Sequence, residues 1–132
     1  MESAEQAFAE RGIDGASVEE IARRAGYTKG AFYANFDSKE ELFLTIVDER
    51  FTREAARVEA MLGEGTDPRR QAEVTALDFV RTVHADPERA LLFFEFTVRA
   101  ARQPAFREHL AECYDTLRQR LVDVYARWGA AF

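Results

Sequence analysis

One cysteine in 132 residues, Cys113, leaves nothing to build an internal disulfide framework and fits a reducing cytoplasm. No stretch approaches the ~18 uninterrupted apolar residues of a membrane span. The first residues also lack the basic-then-apolar run of a secretory signal. The expectation is a soluble cytoplasmic protein with no membrane partner. Prolines number three and glycines seven, few enough to leave long helices uninterrupted. The sequence has no glycine-rich phosphate loop, no HExxH-type ligand spacing and no nucleophile with a visible base, so no enzyme is expected. Its two histidines, His84 and His109, fall on separate expected helices without obvious acidic or cysteine company, so neither a metal site nor a cofactor is expected. Cys113 is expected as a small core residue.

Positive charge is also short. The net charge of −6 argues against coating nucleic acid by bulk attraction. Splitting the chain does not change that, since residues 1–52 hold six basic and eleven acidic groups. From Arg23 to Lys39, however, Arg23, Arg24, Lys29 and Lys39 face Asp37 alone. Any contact with DNA must be local and geometric.

A 47% hydrophobic content and eleven phenylalanines supply a core, and the punctuation predicts seven helices. Ala4, Ala7 and Phe8 form one face of the first, which stops at Gly12 and Gly15. "SVEE" opens the second with a capping box, Ser17 and Glu20, and turns Val18, Ile21, Ala22 and Ala25 inward before Gly26 ends it. Thr28 caps a third helix reaching Phe36. "SKEE" repeats the capping box with Ser38 and Glu41. It opens a long fourth helix from about Lys39 to Leu62, with a stripe from Leu42, Phe43, Ile46 and Val47 through Phe51 and Val58 to Met61 and Leu62. The main break is "GEGTDP", Gly63–Pro68. A fifth helix carries Val74, Leu77, Val80 and Val83. Asp86 and Pro87 cap and open a sixth, which contains "ALLFFEFTV". Pro104 opens a seventh, with Phe106, Leu110, Tyr114, Leu117, Leu121, Val124 and Trp128 on one face.

"SVEEIARRAGYTKGAFYANF" places two short helices around a tight glycine turn, a helix-turn-helix. In such a unit the N-terminal residues of the second helix face base edges in the major groove. That accounts for Gly30 in a helix interior, where glycine costs about 1 kcal/mol relative to alanine. Without a Cβ the backbone approaches the bases, and Lys29 and Ala31 reach guanine acceptors and a thymine methyl. Thr28, Tyr33 and Asn35 suit phosphate oxygens, which position the helix without reading sequence. Ser17 and Lys39 would clamp phosphates from the flanking helix N-termini. Phe32 and Phe36 would turn inward.

The runs "F-x-E-R-G" (Phe8–Gly12), "S-V-E-E-I-A-R-R-A-G" (Ser17–Gly26), "K-G-A-F-Y-A-N-F" (Lys29–Phe36) and "S-K-E-E-L" (Ser38–Leu42) resemble the N-terminal domain of the TetR family of bacterial transcriptional regulators. The resemblance covers about the first 45 residues. It implies an all-α protein: a three-helix DNA-binding domain over 1–43, then a long linking helix and a helical ligand-binding and dimerisation domain over 44–132. It further implies a homodimeric, effector-responsive repressor on a palindromic operator in double-stranded DNA. The family usually carries a basic arm before the position of Ser3 and two more helices than the seven counted here. The sequence is therefore expected to be part of a longer regulator.

Within the second domain, Phe93, Phe94, Tyr114 and Leu117 are candidates to line a pocket for a small hydrophobic or aromatic effector. Glu95 and Arg99 sit one turn apart, and are expected either to pair or to anchor the effector. The fourth helix joins the phosphate clamp to the apolar helices and is the expected lever. The rival reading is an effector-binding helical regulator that activates, or works through a protein partner, without operator repression.

Overall fold

The computed structural model describes residues 1–61 and 67–129. Its helices are α1 (Glu2–Gly15), α2 (Val18–Arg24), α3 (Lys29–Tyr33), α4 (Lys39–Met61), α5 (Pro68–Ala85), α6 (Pro87–Arg102) and α7 (Pro104–Gly129), with no strand among the described residues. Leu62, the Gly63–Thr66 part of the break and the side chains of Met61, Val74 and Trp128 lie outside the described residues. Among the described residues no helix is long and apolar enough to cross a membrane.

The expected caps form. Ser17 Oγ accepts from Glu20 N at 3.1 Å, Ser38 Oγ from Glu41 N at 3.1 Å, and Asp86 Oδ1 from Arg89 N at 3.0 Å. Each satisfies an amide that the first helical turn leaves unpaired. The stop of α1 has more structure than a simple end. Helical hydrogen bonding resumes as far as Gly15, but at Gly12 the backbone turns to φ 68°, ψ 172°, which breaks the helix with a kink. Glycine adopts that φ without steric cost, whereas a side chain there would be strained.

One core joins the two halves of the chain. Phe8 of α1, Phe43 of α4, Phe96 of α6 and Phe106 of α7 are all buried. Phe8 meets Phe43 edge-on at 5.1 Å between centroids, and Phe43 lies 6.1 Å from Phe96 and 6.4 Å from Phe106. Ile13, Ile21, Phe32, Leu42 and Ile46 extend the same cluster into the helix-turn-helix.

Ala25 and the end of α3 differ from expectation, and two apolar residues of α5 are exposed. Ala25 is exposed, because it occupies the C-cap of α2, where the chain already turns away. Helix α3 ends at Tyr33, short of Phe36, and Phe36 folds back to pack on Phe32 at 5.6 Å. On α5, Leu77 (57% exposed) and Val80 (64%) face outward. Among the described elements helix α5 packs chiefly on α6 and α4.

Candidate DNA-reading helix and effector cavity

The turn between α2 and α3 is built by glycine. Gly26 N donates to Arg23 O at 3.2 Å and Tyr27 N to Ala22 O at 2.8 Å, with Gly26 at φ 76°. This pair of bonds closes a helix with a left-handed residue after its cap, and it aims the next segment sharply away. An ion-pair network fixes α2 to α1: Arg24 Nη2 lies 2.7 Å from both Glu10 Oε2 and Glu20 Oε1, and Arg11 Nη1 lies 3.2 Å from Glu20 Oε2. The hydrogen bond from Arg24 holds the Glu10 carboxyl below the usual carboxylate range.

Helix α3 is therefore short, well anchored and turned outward. Phe32 is buried beneath it, while Thr28, Lys29, Gly30, Tyr33 and Asn35 are exposed and Ala31 is half-buried. Thr28 Oγ1 caps the helix by accepting from Ala31 N at 3.1 Å. Asn35 Nδ2 donates to Ala31 O at 2.9 Å, and Tyr33 stands edge-on to Phe32 at 5.2 Å. A Cβ on Gly30 would meet only Thr28 Oγ1, at 3.8 Å, which is ordinary contact. Nothing inside the chain demands glycine at that position. Lys29 is salt-bridged to Glu19 of α2; both are exposed, and the pair raises the pKa of Lys29 and lowers that of Glu19.

Two of the sequence candidates have internal partners. Ser17 is the cap of α2. Lys39 donates from Nζ to Asp14 O at 3.2 Å and Ala16 O at 3.1 Å, so two of its three donors tie the start of α4 to the end of α1. Tyr27, 69% exposed at the tip of the turn, was not singled out by the sequence reading. Its signal would have been its position immediately before the cap of α3.

Phe93, Phe94, Tyr114 and Leu117 come together around a cavity of about 340 Å³, with Val47, Phe51 and Val58 of α4 opposite. Tyr114 stands edge-on to Phe51 at 5.5 Å. The cavity has one polar corner, made by Arg50, Glu54 and Arg89. Arg50 is salt-bridged to Glu5, and Glu54 to Arg57 (2.5 Å) and Arg89. Burial, then the nearby Arg50 and Arg53 guanidinium groups, pull the pKa of Arg89 below its ordinary value. Arg50 Nε is buried with no hydrogen-bond partner among the described residues.

Glu95 and Arg99 are not part of that lining and do not take each other as the partner that one-turn spacing suggested. Glu95 Oε1 accepts from Ile13 N at 3.1 Å and packs against Gly12. Arg99 Nη2 reaches Asp14 Oδ1 at 2.5 Å and lies over the Phe106 ring at 5.6 Å. The α1 kink offers an amide donor and a carboxylate, and the two α6 side chains take those instead. Helix α6 thus presents phenylalanines to the cavity on one side and grips the α1 kink with the other.

A short exposed helix on a glycine turn, joined by one core to a helical body with an apolar cavity, is the architecture of a helix-turn-helix transcriptional regulator. Residues 1–46 match the family of bacterial regulatory proteins described as tetR. Over 95 residues the chain is 34% identical to the transcriptional repressor AcnR of Corynebacterium efficiens, covering 67% of this chain and 50% of that protein. It is 31% identical over 93 residues to the transcriptional activator FasR of Mycolicibacterium smegmatis, covering 70% and 42%. A candidate transcriptional regulator of Streptomyces coelicolor superposes with a TM-score of 0.73 at 31% identity, covering 91% of this chain and 69% of that one. The chain belongs to the TetR family of transcriptional regulators, which are not enzymes. It spans about half the length of the curated relatives it matches.

Proposed function

We propose that this chain is the DNA-reading and effector-sensing part of a cytoplasmic, homodimeric repressor, released from a palindromic operator by a small molecule. The observation that carries the reading is the exposed face of α3. It presents Lys29, Gly30 and Ala31 to base edges, and Thr28, Tyr33 and Asn35 to phosphates, around a glycine that the fold itself does not need. Ser17 adds a helix N-terminus to the phosphate contacts, and Lys39 adds charge through its remaining donor. Residues 1–43 serve as the DNA-binding domain, and 44–132 carry the effector cavity and part of the dimer contact.

The effector suited to the cavity has an apolar or aromatic body and an acidic group. Phe51, Phe93, Phe94 and Leu117 take the body, and the corner made by Arg50, Glu54 and Arg89 takes the acid. Two paths lead from the cavity to α3. Helix α4 carries Val47 and Phe51 at the cavity and Lys39 at the end of α1, and α6 carries Phe93 at the cavity and Glu95 at the kink. A ligand that binds one arrangement of these helices better than the other changes the spacing of the two reading helices in a dimer.

Selection of the full-length protein against a randomised duplex pool tests this. Recovery of an inverted repeat, with half-sites about one helical turn apart, is the expected result. No enrichment at low salt would overturn it. Activation, as named for the FasR relative, would appear as an inverted repeat upstream of a promoter whose output falls when the regulator is deleted.

A further inference from the structure

His109 and Cys113 stand one turn apart on α7 and face Asp48 of α4. His109 Nε2 lies 2.7 Å from Asp48 Oδ1, and Cys113 Sγ lies 3.4 Å from the same oxygen. These three donor atoms all fall within 4.8 Å of one another. The ring of His109 stands edge-on to Phe96 at 6.2 Å between centroids. Around them opens a second groove of about 270 Å³, bounded by Thr52, Glu112, Thr116 and Arg120, and sharing the walls of Phe51 and Leu117 with the effector cavity. Asp48 is half exposed, which leaves an entry path for a small ion.

We infer that Asp48, His109 and Cys113 form a binding site for a divalent transition-metal ion of the zinc class. The donor set is the argument. A thiolate, an imidazole nitrogen and a carboxylate oxygen are the three ligand types that zinc takes, at about 2.0–2.3 Å each. Ligand atoms around such an ion stand ~3.5 Å apart, so Cys113 and Asp48 are already placed, and the Asp48–His109 contact must open slightly. One thiolate and one carboxylate neutralise a doubly charged ion, with the histidine neutral. Binding displaces the Cys113 thiol proton to solvent as the metal–sulfur bond forms, and no electrons are exchanged. Three protein ligands leave a fourth position for water or for the neighbouring carboxylate of Glu112. A plain Asp48–His109 ion pair accounts for two of the three groups, but not for a thiol aimed at the same oxygen from one turn along the same helix.

The site bridges the proposed lever α4 to α7, yet its test is independent of DNA. The full-length protein, reduced and under anaerobic conditions, is titrated with Co²⁺, with Zn²⁺ as competitor. The expected result is a near-ultraviolet cobalt–thiolate absorption band that saturates at one equivalent per chain and disappears when Zn²⁺ is added. Cys113→Ser should lose that band while keeping wild-type circular dichroism. Asp48→Asn keeps the thiol and the shape, and should weaken Co²⁺ binding by roughly tenfold or more. Absence of a thiolate band in the wild-type protein overturns the site. So does a band that survives Cys113→Ser undiminished, or Co²⁺ affinity unchanged in Asp48→Asn.

Discussion

Replacing Gly30 with alanine separates stability from recognition at a single residue. The fold leaves ordinary space for the new methyl group, and alanine is the better helix former by up to about 1 kcal/mol. Thermal unfolding should therefore move up or stay level, while affinity for the selected operator falls. Equal affinity in the two proteins, read by fluorescence anisotropy, would remove close backbone approach as the reason for the glycine. Lys39 is the opposite case. Its ammonium holds two backbone carbonyls at the end of α1, so Lys39→Ala should cost about 1 kcal/mol of stability. The slope of log affinity against log salt should change by less than the ~1 expected for a full phosphate contact. A slope lower by one unit with unchanged stability would return Lys39 to the phosphate clamp.

At the scale of elements, the join between α6 and α1 bears the most weight. Glu95→Ala leaves Ile13 N without its acceptor in a partly buried place, at a cost of about 1–3 kcal/mol in chemical denaturation. Operator affinity should fall with it. Effector affinity should not, because Glu95 lies on the side of α6 away from the cavity; a changed effector affinity would place it in the ligand site after all. Asp14, beside it, gives the join a pH dependence. The Arg99 guanidinium paired with it lowers the Asp14 pKa from its ordinary value of 3.8. A carboxyl depressed in the folded state adds stability that is present above its unfolded pKa and lost as pH falls through the folded one. Melting temperatures of the wild type should thus decline between about pH 5 and about pH 2 more steeply than those of Asp14→Asn. Parallel curves would show the pair contributes nothing.

These elements also show what the sequence could tell. Caps and turns depend on neighbours three or four residues apart, so Ser17, Thr28, Ser38, Asp86 and Gly26 were legible, and so was the exposed face of α3. The apolar lining followed from the phenylalanines of α6. Partners from distant helices did not follow. Glu95 finds Ile13 82 residues away, and Lys39 finds Asp14 25 residues away. Asp48 meets His109 across 61 residues, which spacing along one helix cannot reveal. The expected Glu95–Arg99 pair was sound as local geometry, and lost to better partners at a kink that only the tertiary packing creates.

For the whole molecule, the question is whether filling the cavity is itself the signal. If coupling runs through helix positions, a side chain that occupies the space should act as a permanent effector. Leu117 lines the cavity from α7 and is half-buried, so tryptophan there has room to extend into about 340 Å³ without entering the four-phenylalanine core. Leu117→Trp should bind the operator more weakly with no effector present, and respond little to effector when it is added. Its melting temperature should stay level or rise, because new apolar contacts replace empty space. Linkage demands the reciprocal effect in the wild type: operator DNA should weaken effector binding by the same factor as effector weakens operator binding. A Leu117→Trp protein that binds operator at full strength yet no longer binds effector would break the argument, since the cavity would then be a site without a connection to α3.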